Sequence, residues 1–445
     1  MNSPSHINRR ELLTAIGGTA FIDGAAQAAA ELPISTRELW DWVRAQQVLD
    51  PTITYLDTGS VGPGLRAALA TEYRQQEQFN SDVAAYQAAY LSPSALGATL
   101  KRLSALLDCK PDEITITQGA TEALGMVANG LRQQLMRGDE VIVTSHAHGS
   151  AIYPWLLQAQ QSGIVVKQVA LPSPLTGPEQ PLGLIAAAVT DKTRVIAFSH
   201  LQYTDGAILP VADICTFARQ RNILSVVDGA QACGSLDISI ADFNCDFYAA
   251  SLHKWLNGPY GLGLLYVRRE LLASLSPTSV DSNLGWYVIN RFGQAGIDDE
   301  VQRAAWPATL AKFGCNVRFL GPQLKALESA LDFREQLGAD RIQARIRELA
   351  IYARLRLQPL SDLQILTPAQ PGMWGGILAM HPQRVSAQEL TQRLRRNNKI
   401  VVSAIAHPAS TVAFPEGTPE FSALRVCLHI YNSHDDVERL VRALQ

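Results

Sequence analysis

Short apolar runs alternate with helical stretches through the middle of this 445-residue chain, and that alternation limits the possible folds more than any other feature. The pattern is typical of βαβ units, which build a mostly parallel sheet covered by helices on both faces. The sequence therefore predicts an α/β fold with seven strands, at residues 114–116, 140–144, 165–169, 194–199, 223–227, 246–250 and 263–267. The intervening helices are expected at residues 121–136, 150–162, 183–189 and 211–221.

The length of the chain exceeds the usual size of a single core and predicts two domains. We expect a large domain with its N-terminal segment at residues 32–310 and a small α/β domain at residues 311–445. The elements expected beyond the large sheet are a helical region at 310–337, a strand at 423–430 and a helix from Asp435. Two segments rich in proline and glycine are expected to be surface loops, residues 172–183 and 415–419.

Two of the expected strands are followed by side chains of complementary chemistry. Asp228 closes the run 223–227, and Lys254 comes four residues after the run 246–250. Ligands of open α/β sheets bind outside the carboxyl ends of the strands, so both groups are expected to meet one ligand. Taken alone, they would be a strand-end cap and a turn lysine. Together they suit pyridoxal 5′-phosphate, because an amine can hold the aldehyde as a Schiff base while a carboxylate keeps the pyridine nitrogen protonated.

Three motifs that follow one another in the chain carry a resemblance to a known family. They are Val226-Val-Asp228-Gly-Ala230-Gln231, Ser251-Leu-His253-Lys254-Trp255 and Gly258-Pro-Tyr-Gly261-Leu-Gly263. In them the chain resembles the fold-type I, class V aminotransferase family, which includes cysteine desulfurases, kynureninases and isopenicillin N epimerases. The resemblance runs from about Tyr55 to the C-terminus. It implies a mostly parallel seven-stranded sheet in the large domain and a smaller α/β C-terminal domain.

A phosphate site is expected at Gln118-Gly-Ala120-Thr121, where a helix begins. The N-terminus of a helix with a nearby hydroxyl favours anions, although an ordinary threonine cap would look the same. The resemblance implies four phosphate ligands and two ring contacts: Ala120, Thr121, Ser251 and His253, then Gln231 at the phenolic oxygen of the ring and Ala230 against one ring face.

The resemblance implies a histidine on the other face of the ring, where a flat side chain can stack. The resemblance around Tyr153-Pro-Trp155 places His148 there, with His146 as the alternative. The expected catalytic residues are therefore Lys254, Asp228 and His148.

Substrate contacts are expected from both expected domains. Arg425 resembles the family's arginine that holds a carboxylate through two parallel hydrogen bonds, and a strand-edge salt bridge is the alternative. Tyr203 either lies near the ring oxygen or packs in the cleft.

Thr309 is similar to the threonine that reaches the phosphate of a neighbouring subunit, which implies a homodimer. At Ala308 the family has a glycine, so that match is looser.

The reaction is narrowed by one departure from the family pattern. Cysteine desulfurases carry a catalytic cysteine in the small domain, and the corresponding residues 403–410 contain none. The segment from His200 to Gly206 is more similar to epimerases and kynureninases. These features favour an aminotransferase or epimerase acting at the α-carbon of an amino acid or of a secondary metabolite that carries one, such as a secreted siderophore peptide. A C–S or β-lyase is the alternative, and Lys254 argues against a PLP-binding protein without turnover.

Composition excludes other classes of function. The formal net charge is -3 and no basic run interleaves with aromatic residues, so a nucleic-acid partner is not expected. The six cysteines form neither a CxxC pair nor a zinc-ligand spacing, so we expect no metal site and mostly buried thiols.

The N-terminal residues differ from the rest of the chain. Arg9 and Arg10 precede a mildly apolar stretch at 15–30, and Ala26-Gln-Ala28 has the pattern of a cleavage site. This resembles a twin-arginine export signal over residues 1–28, which implies a periplasmic enzyme. An N-terminal tail of a cytoplasmic enzyme is the alternative. Asp23 interrupts the stretch, so stable insertion into a membrane is not expected.

Overall fold

The computed structural model describes residues 36–90, 93–278, 310–313, 320–407 and 421–445. Within them the α-helices are α1 Thr36–Ala45, α2 Arg66–Ser81, α3 Val83–Tyr90, α4 Pro93–Leu107, α5 Ala120–Leu131, α6 Gly149–Ser162, α7 Glu179–Ala188, α8 Val211–Arg219, α9 Ile240–Phe243, α10 Gly321–Leu337, α11 Ala339–Leu357, α12 Ala387–Asn398 and α13 His434–Leu444. The strands are β1 Thr54–Tyr55, β2 Ile114–Thr117, β3 Glu140–Thr144, β4 Val165–Val169, β5 Thr193–Ser199, β6 Leu224–Asp228, β7 Phe247–Ser251, β8 Gly263–Val267, β9 Leu363–Ile365, β10 Ile377–Pro382, β11 Ile400–Val401, β12 Ser403–His407 and β13 Phe421–Cys427. Short 3-10 helices cover Pro111–Glu113, Arg269–Leu271 and Leu310–Phe313.

The seven predicted strands form one sheet in the order β2-β8-β7-β6-β5-β3-β4. β8 runs antiparallel to both of its neighbours, and the remaining pairs are parallel. The predicted α/β fold with a mostly parallel sheet is confirmed. Strands β7 and β8 are buried along their whole length, which is why their sequences are continuous apolar runs rather than alternating ones.

The topology brings four strand ends to one edge of this sheet. β5, β6 and β7 are parallel, so Ser199, Asp228 and Ser251 all lie at their carboxyl ends. Two antiparallel pairings, β7 with β8 and β8 with β2, give β2 the same direction as β7. The end of β2 at Thr117, and with it the start of α5 at Ala120, therefore lies at the same edge.

A second, four-stranded antiparallel sheet has the order β12-β13-β10-β9. Helices α11, α12 and α13 contribute buried apolar residues to the core of this part of the chain. The N-terminal segment joins it through β1, which pairs with β11 in parallel at Thr54 and Tyr55. The domain bounds at 32–310 and 311–445 stay a prediction.

Some predicted element bounds were wrong. Helix α7 begins at Glu179, inside the segment 172–183 that was expected to be a loop. Pro181 is its third residue, and proline is tolerated in a first turn because the N–H groups there have no helical partner. Helix α5 ends at Leu131 rather than 136, and the chain turns there with Gln134 N–H donating to the Leu131 carbonyl.

Several predictions fall outside the described residues: the export signal at 1–28, Thr309, and the loop at 415–419. The described helices include none that is both long and apolar enough to cross a bilayer.

Candidate active site

A pocket lies at the edge of the sheet where the strand ends converge. Its lining contains most of the residues predicted from sequence: Ala120, Thr121, His148, Ser150, Ser199, Leu201, Tyr203, Asp228, Ala230, Gln231, Ser251 and Lys254. These residues come from chain segments that are far apart in sequence but adjacent in the sheet. The structure therefore brings the candidate carboxylate, amine and phosphate site together, and the roles assigned to them stay predictions.

Asp228 ends β6 and is 5% exposed. Its Oδ1 accepts a hydrogen bond from the Ala230 N–H at 3.0 Å, and its own carbonyl accepts one from the His200 N–H at 2.9 Å. The carboxylate is thus fixed by the turn after the strand. Further acceptor capacity remains, because an ionised carboxylate can accept about four hydrogen bonds.

Lys254 lies in the turn after β7. Burial lowers the pKa of its ammonium group, the nearby Asp228 carboxylate acts in the opposite direction, and Arg425 lowers the pKa further. The net effect is a lowered pKa, so more of the side chain is present as the free amine at neutral pH. A free amine is the form that attacks an aldehyde.

Arg334 and His429, which were not predicted from the sequence, stabilise the turn that contains Lys254. The carbonyl of Trp255 accepts hydrogen bonds from Arg334 Nη1 at 3.2 Å and from His429 Nε2 at 3.0 Å. Burial lowers the pKa of Arg334 to about 10 and that of His429 to about 3, so the imidazole is neutral and donates through Nε2. Both groups fix the peptide that follows Trp255, one residue beyond Lys254.

Gln231 is oriented by the same turn. Its Oε1 accepts a hydrogen bond from the Trp255 indole N–H at 2.8 Å, and its Nε2 donates to the Gly59 carbonyl at 2.8 Å. The indole can only donate, which settles which end of the amide is oxygen. The Gln231 amide has a second N–H, and its predicted contact with a ring oxygen stays a prediction.

The residues of the expected phosphate site pack tightly around Gly119. Ser251 Oγ accepts a hydrogen bond from the Ala120 N–H at 3.1 Å, which joins β7 to the start of α5. Gly119 has a φ of 141°, which residues with a side chain rarely adopt. A Cβ on Gly263 would lie 2.3 Å from Gly119 Cα, so that position also requires glycine.

The donor set at this point fits a phosphate. It combines the N-terminus of α5, the hydroxyls of Thr121 and Ser251, and His253. Among the described residues the buried His253 Nδ1 has no hydrogen-bond partner. Burial and the adjacent Lys254 lower the pKa of His253, and a hydrogen bond with the backbone of Leu262 acts in the opposite direction. A buried nitrogen without a partner is costly, and an oxygen-rich ligand would satisfy it.

The structure places the two candidate histidines differently. His148 lies at the pocket as the N-cap of α6, with Nδ1 accepting from the Ser150 N–H at 3.2 Å. Its ring contacts Tyr203 edge to face, with centroids 5.1 Å apart. His146 is buried, with one ring nitrogen 3.2 Å from the Leu171 carbonyl and the other 2.9 Å from Thr204 Oγ1. Of the two histidines, His148 lines the pocket and His146 does not.

Arg425 lies on β13 of the small sheet and contacts the backbone of Tyr203, a residue that lines the pocket. Its Nη2 donates to Asp57 Oδ1 at 2.8 Å and to Ser60 Oγ at 2.6 Å, and its Nη1 donates to the Tyr203 carbonyl at 3.2 Å. The salt bridge that was weighed as an alternative role is thus present. Asp57 and Ser60 were not predicted as site residues, because nothing in their local sequence points to Arg425.

Tyr203 joins the pocket to a wider cleft of about 820 Å³, within the range typical of small-molecule sites. Burial raises the pKa of Tyr203 to about 12, so its phenol is neutral. The cleft is lined mostly by apolar side chains, among them Ile152, Tyr153 and Leu157 from α6. Tyr153 is 59% exposed, so the cleft opens to solvent.

The described cysteines are free, and all but Cys109 are buried. Burial raises the pKa of each thiol, as expected for inert core residues: to about 12 for Cys109 and Cys215, to about 11 for Cys233 and Cys427, and further for Cys245. In the part of the chain that the structure describes, no three potential metal ligands are grouped.

Curated relatives align with nearly the whole chain. Isopenicillin N epimerase from Amycolatopsis lactamdurans is 32% identical over 412 residues, which cover 91% of this chain and 98% of the relative. Isopenicillin N epimerase from Streptomyces clavuligerus is 32% identical over 91% of this chain and 97% of its own length. Cysteine desulfurase from Cronobacter sakazakii is 28% identical over 94% of this chain and 97% of the relative.

Solved structures show the same fold at low sequence identity. The apo cysteine desulfurase from Thermococcus onnurineus has a TM-score of 0.75 at 20% identity, covering 90% of this chain and 96% of that one. A cystine C–S lyase in complex with cysteine persulfide has a TM-score of 0.73 at 22% identity, covering 88% and 97%.

The family model for class V aminotransferases matches residues 54–300 and 319–440, which is most of the chain. The resemblance carried by the three motifs is confirmed, and so is the cofactor that it implied. On this match and on the relatives at 32% identity, the chain belongs to the class V aminotransferase family of pyridoxal 5′-phosphate-dependent enzymes.

Proposed function

We propose that this enzyme acts at the α-carbon of an amino acid, or of a secondary metabolite that carries one, as an epimerase or an aminotransferase. The observation that carries the proposal is the shared pocket of Lys254, Asp228 and His148, with Arg425 beside it. The bound cofactor would supply an aldehyde for the amine and a ring that accepts electrons from the α-carbon.

Each side chain has a role that follows from its position. Lys254 would hold the aldehyde of the cofactor, and its free amine of lowered pKa would take and return the proton of the α-carbon. Asp228 would keep a proton on the ring nitrogen of the cofactor, and His148 would supply a flat side chain against the ring. Arg425 orients the carboxylate of the substrate, which aligns the bond to be broken.

The wider cleft supports a substrate larger than a free amino acid. Its apolar lining from α6 opens directly beside Tyr203, and such a surface suits the body of a peptide or another large metabolite. The two relatives named isopenicillin N epimerase favour epimerisation. The missing cysteine at 403–410 argues against persulfide transfer.

A C–S or β-lyase is the second candidate. The relative named cysteine desulfurase aligns over 94% of the chain and favours chemistry at the β-carbon. Both reactions begin with the same proton removal by Lys254. They differ in what leaves afterwards, which a change in substrate position of about an ångström can decide.

Three further features belong to this proposal. The enzyme is a homodimer in which Thr309 reaches the phosphate of the partner subunit. It is exported to the periplasm through the signal at 1–28, and it remains in the cytoplasm if that segment is only a tail. Its two domains are divided near residue 310. The motifs around Arg9 and Arg10, and the likeness of Thr309 to the family pattern, support these points.

Product analysis in deuterated water tests the proposal. Epimerisation places deuterium on the α-carbon and keeps the amine, transamination yields a keto acid, and a lyase releases the β substituent. Lys254→Ala should remove both turnover and the visible absorbance of the bound cofactor, whereas the exposed Lys101→Ala should change neither. A colourless Lys254→Ala protein that still turned over amino acids would contradict the assigned roles.

A further inference from the structure

The guanidinium of Arg425 already holds a carboxylate of its own chain. Arg425 is 2% exposed and Asp57 is 8% exposed, so the ion pair between them lies out of solvent. Nη2 donates one hydrogen to Asp57 Oδ1 at 2.8 Å and the other to Ser60 Oγ at 2.6 Å. Ser403 Oγ lies 3.3 Å from the same nitrogen.

The remaining donors of Arg425 cannot hold a second carboxylate in parallel geometry. Either two-nitrogen edge of a guanidinium, Nη1 with Nη2 or Nε with Nη2, includes Nη2. Nη1 donates to the Tyr203 carbonyl at 3.2 Å, and Nε has no partner within the described part of the chain. An incoming carboxylate must therefore displace Asp57 or Ser60 to bind through two hydrogen bonds.

The backbone around Asp57 is fixed on both sides. The Leu56 N–H donates to the Val401 carbonyl at 2.9 Å, and the Cys427 N–H donates to the Leu56 carbonyl at 2.8 Å. Further along, the Gly62 N–H donates to the His253 carbonyl at 2.9 Å. These bonds hold the backbone of Asp57 in place, so rotation of its side chain is the smaller change that would release Arg425.

We propose that Asp57 determines substrate specificity by occupying Arg425 until the carboxylate of the substrate displaces it. This inference rests on the proposed function of Arg425. A small monocarboxylate has nothing with which to offset the lost ion pair, so it binds weakly. A substrate that also fills the apolar cleft gains the additional contacts, and the site therefore selects amino acids that carry a large body.

Asp57→Asn tests this directly, because asparagine keeps an oxygen acceptor and removes the competing charge. Binding of propionate to the holoenzyme is measured by titration calorimetry, with propylamine as a probe that lacks the carboxylate. We expect Asp57→Asn to bind propionate about tenfold more tightly than the wild type, since a buried arginine without a counter-ion gains most from a new one. Propylamine binding should not change, and the exposed Asp213→Asn should behave as the wild type.

Unchanged or weaker binding of propionate by Asp57→Asn would overturn the inference, because a merely structural ion pair predicts that result. If that variant unfolds, Asp57→Ser removes the same charge, and propionate should raise its melting temperature more than that of the wild type. Arg425→Met separates the two proposals. If Arg425→Met binds propionate as tightly as the wild type does, the proposed role of Arg425 itself fails.

Discussion

Replacement of Gly263 by alanine should damage the expected phosphate site without touching a chemical group. Gly263 begins β8, where its backbone passes Gly119. An added Cβ would lie 2.3 Å from Gly119 Cα and 2.6 Å from Gly119 N. Carbon atoms pack best at about 3.5–4.0 Å, so the two backbones would have to separate by about 1 Å or more.

The expected cost follows from that displacement. Overpacking of a tight site costs about 1–3 kcal/mol, and a lengthened bond between the Ala120 N–H and Ser251 Oγ adds about 1 kcal/mol. Gly119 cannot relax freely, because its φ of 141° already depends on the absence of a side chain. We expect cofactor affinity to fall by about 10- to 100-fold. The melting temperature should fall by about 2–4 °C, because a chain of 445 residues unfolds with a large entropy change.

Absorbance titration of the cofactor-free protein with pyridoxal 5′-phosphate and thermal unfolding measure these two quantities. Gly183→Ala is the matched control, because Gly183 lies in α7 with open space around its Cβ position. Alanine there should leave cofactor affinity unchanged and raise stability by up to about 1 kcal/mol. A Gly263→Ala protein that binds the cofactor as tightly as Gly183→Ala does would refute the reasoning.

Two further predictions concern pH and the link between β7 and α5. Burial lowers the pKa of His200 to about 4 and of His429 to about 3, whereas the unfolded chain takes up a proton below about 6.5. The unfolded state therefore binds more protons, and a fall from pH 7 to pH 5 should cost about 2 kcal/mol of stability per histidine. His429→Asn should remove about half of the stability loss that the two histidines cause between pH 7 and pH 5, as measured by urea unfolding at both pH values. If His429→Asn loses as much stability between these pH values as the wild type does, the prediction is wrong. Ser251→Ala leaves the buried Ala120 N–H without its acceptor, so the free energy of unfolding should fall by about 1–3 kcal/mol. Inorganic phosphate should also compete less well with the cofactor for the site. If inorganic phosphate competes with the cofactor equally well in Ser251→Ala and in the wild type, Ser251 does not bind phosphate.

The sequence was sufficient for the parts of the site that follow strands. Strands β6 and β7 are largely buried on both faces, so they are visible as apolar runs. Asp228 is the last residue of β6, and Lys254 lies three residues after the end of β7. The motifs that contain Asp228 and Lys254 also indicated the class V aminotransferase family. Boundaries were less predictable: α7 starts within a proline-rich segment because a first helical turn tolerates proline.

Other parts of the site depend on contacts that no local pattern encodes. Asp57 and Arg425 meet across 368 residues of chain, and His429 reaches the Trp255 carbonyl across 174. His146 and His148 are separated by one residue, yet one is buried in a hydrogen-bonded turn and the other caps α6 at the pocket.

The sequence by itself thus determined the sheet, the family, and the amine and carboxylate that line one pocket, because these depend on strand burial and on order along the chain. Only the tertiary structure decided which charge occupies Arg425 and which groups hold the lysine turn. Those interactions join the N-terminal segment, the large sheet and the small sheet. Their energies depend on distance and burial in three dimensions, which residue order does not specify.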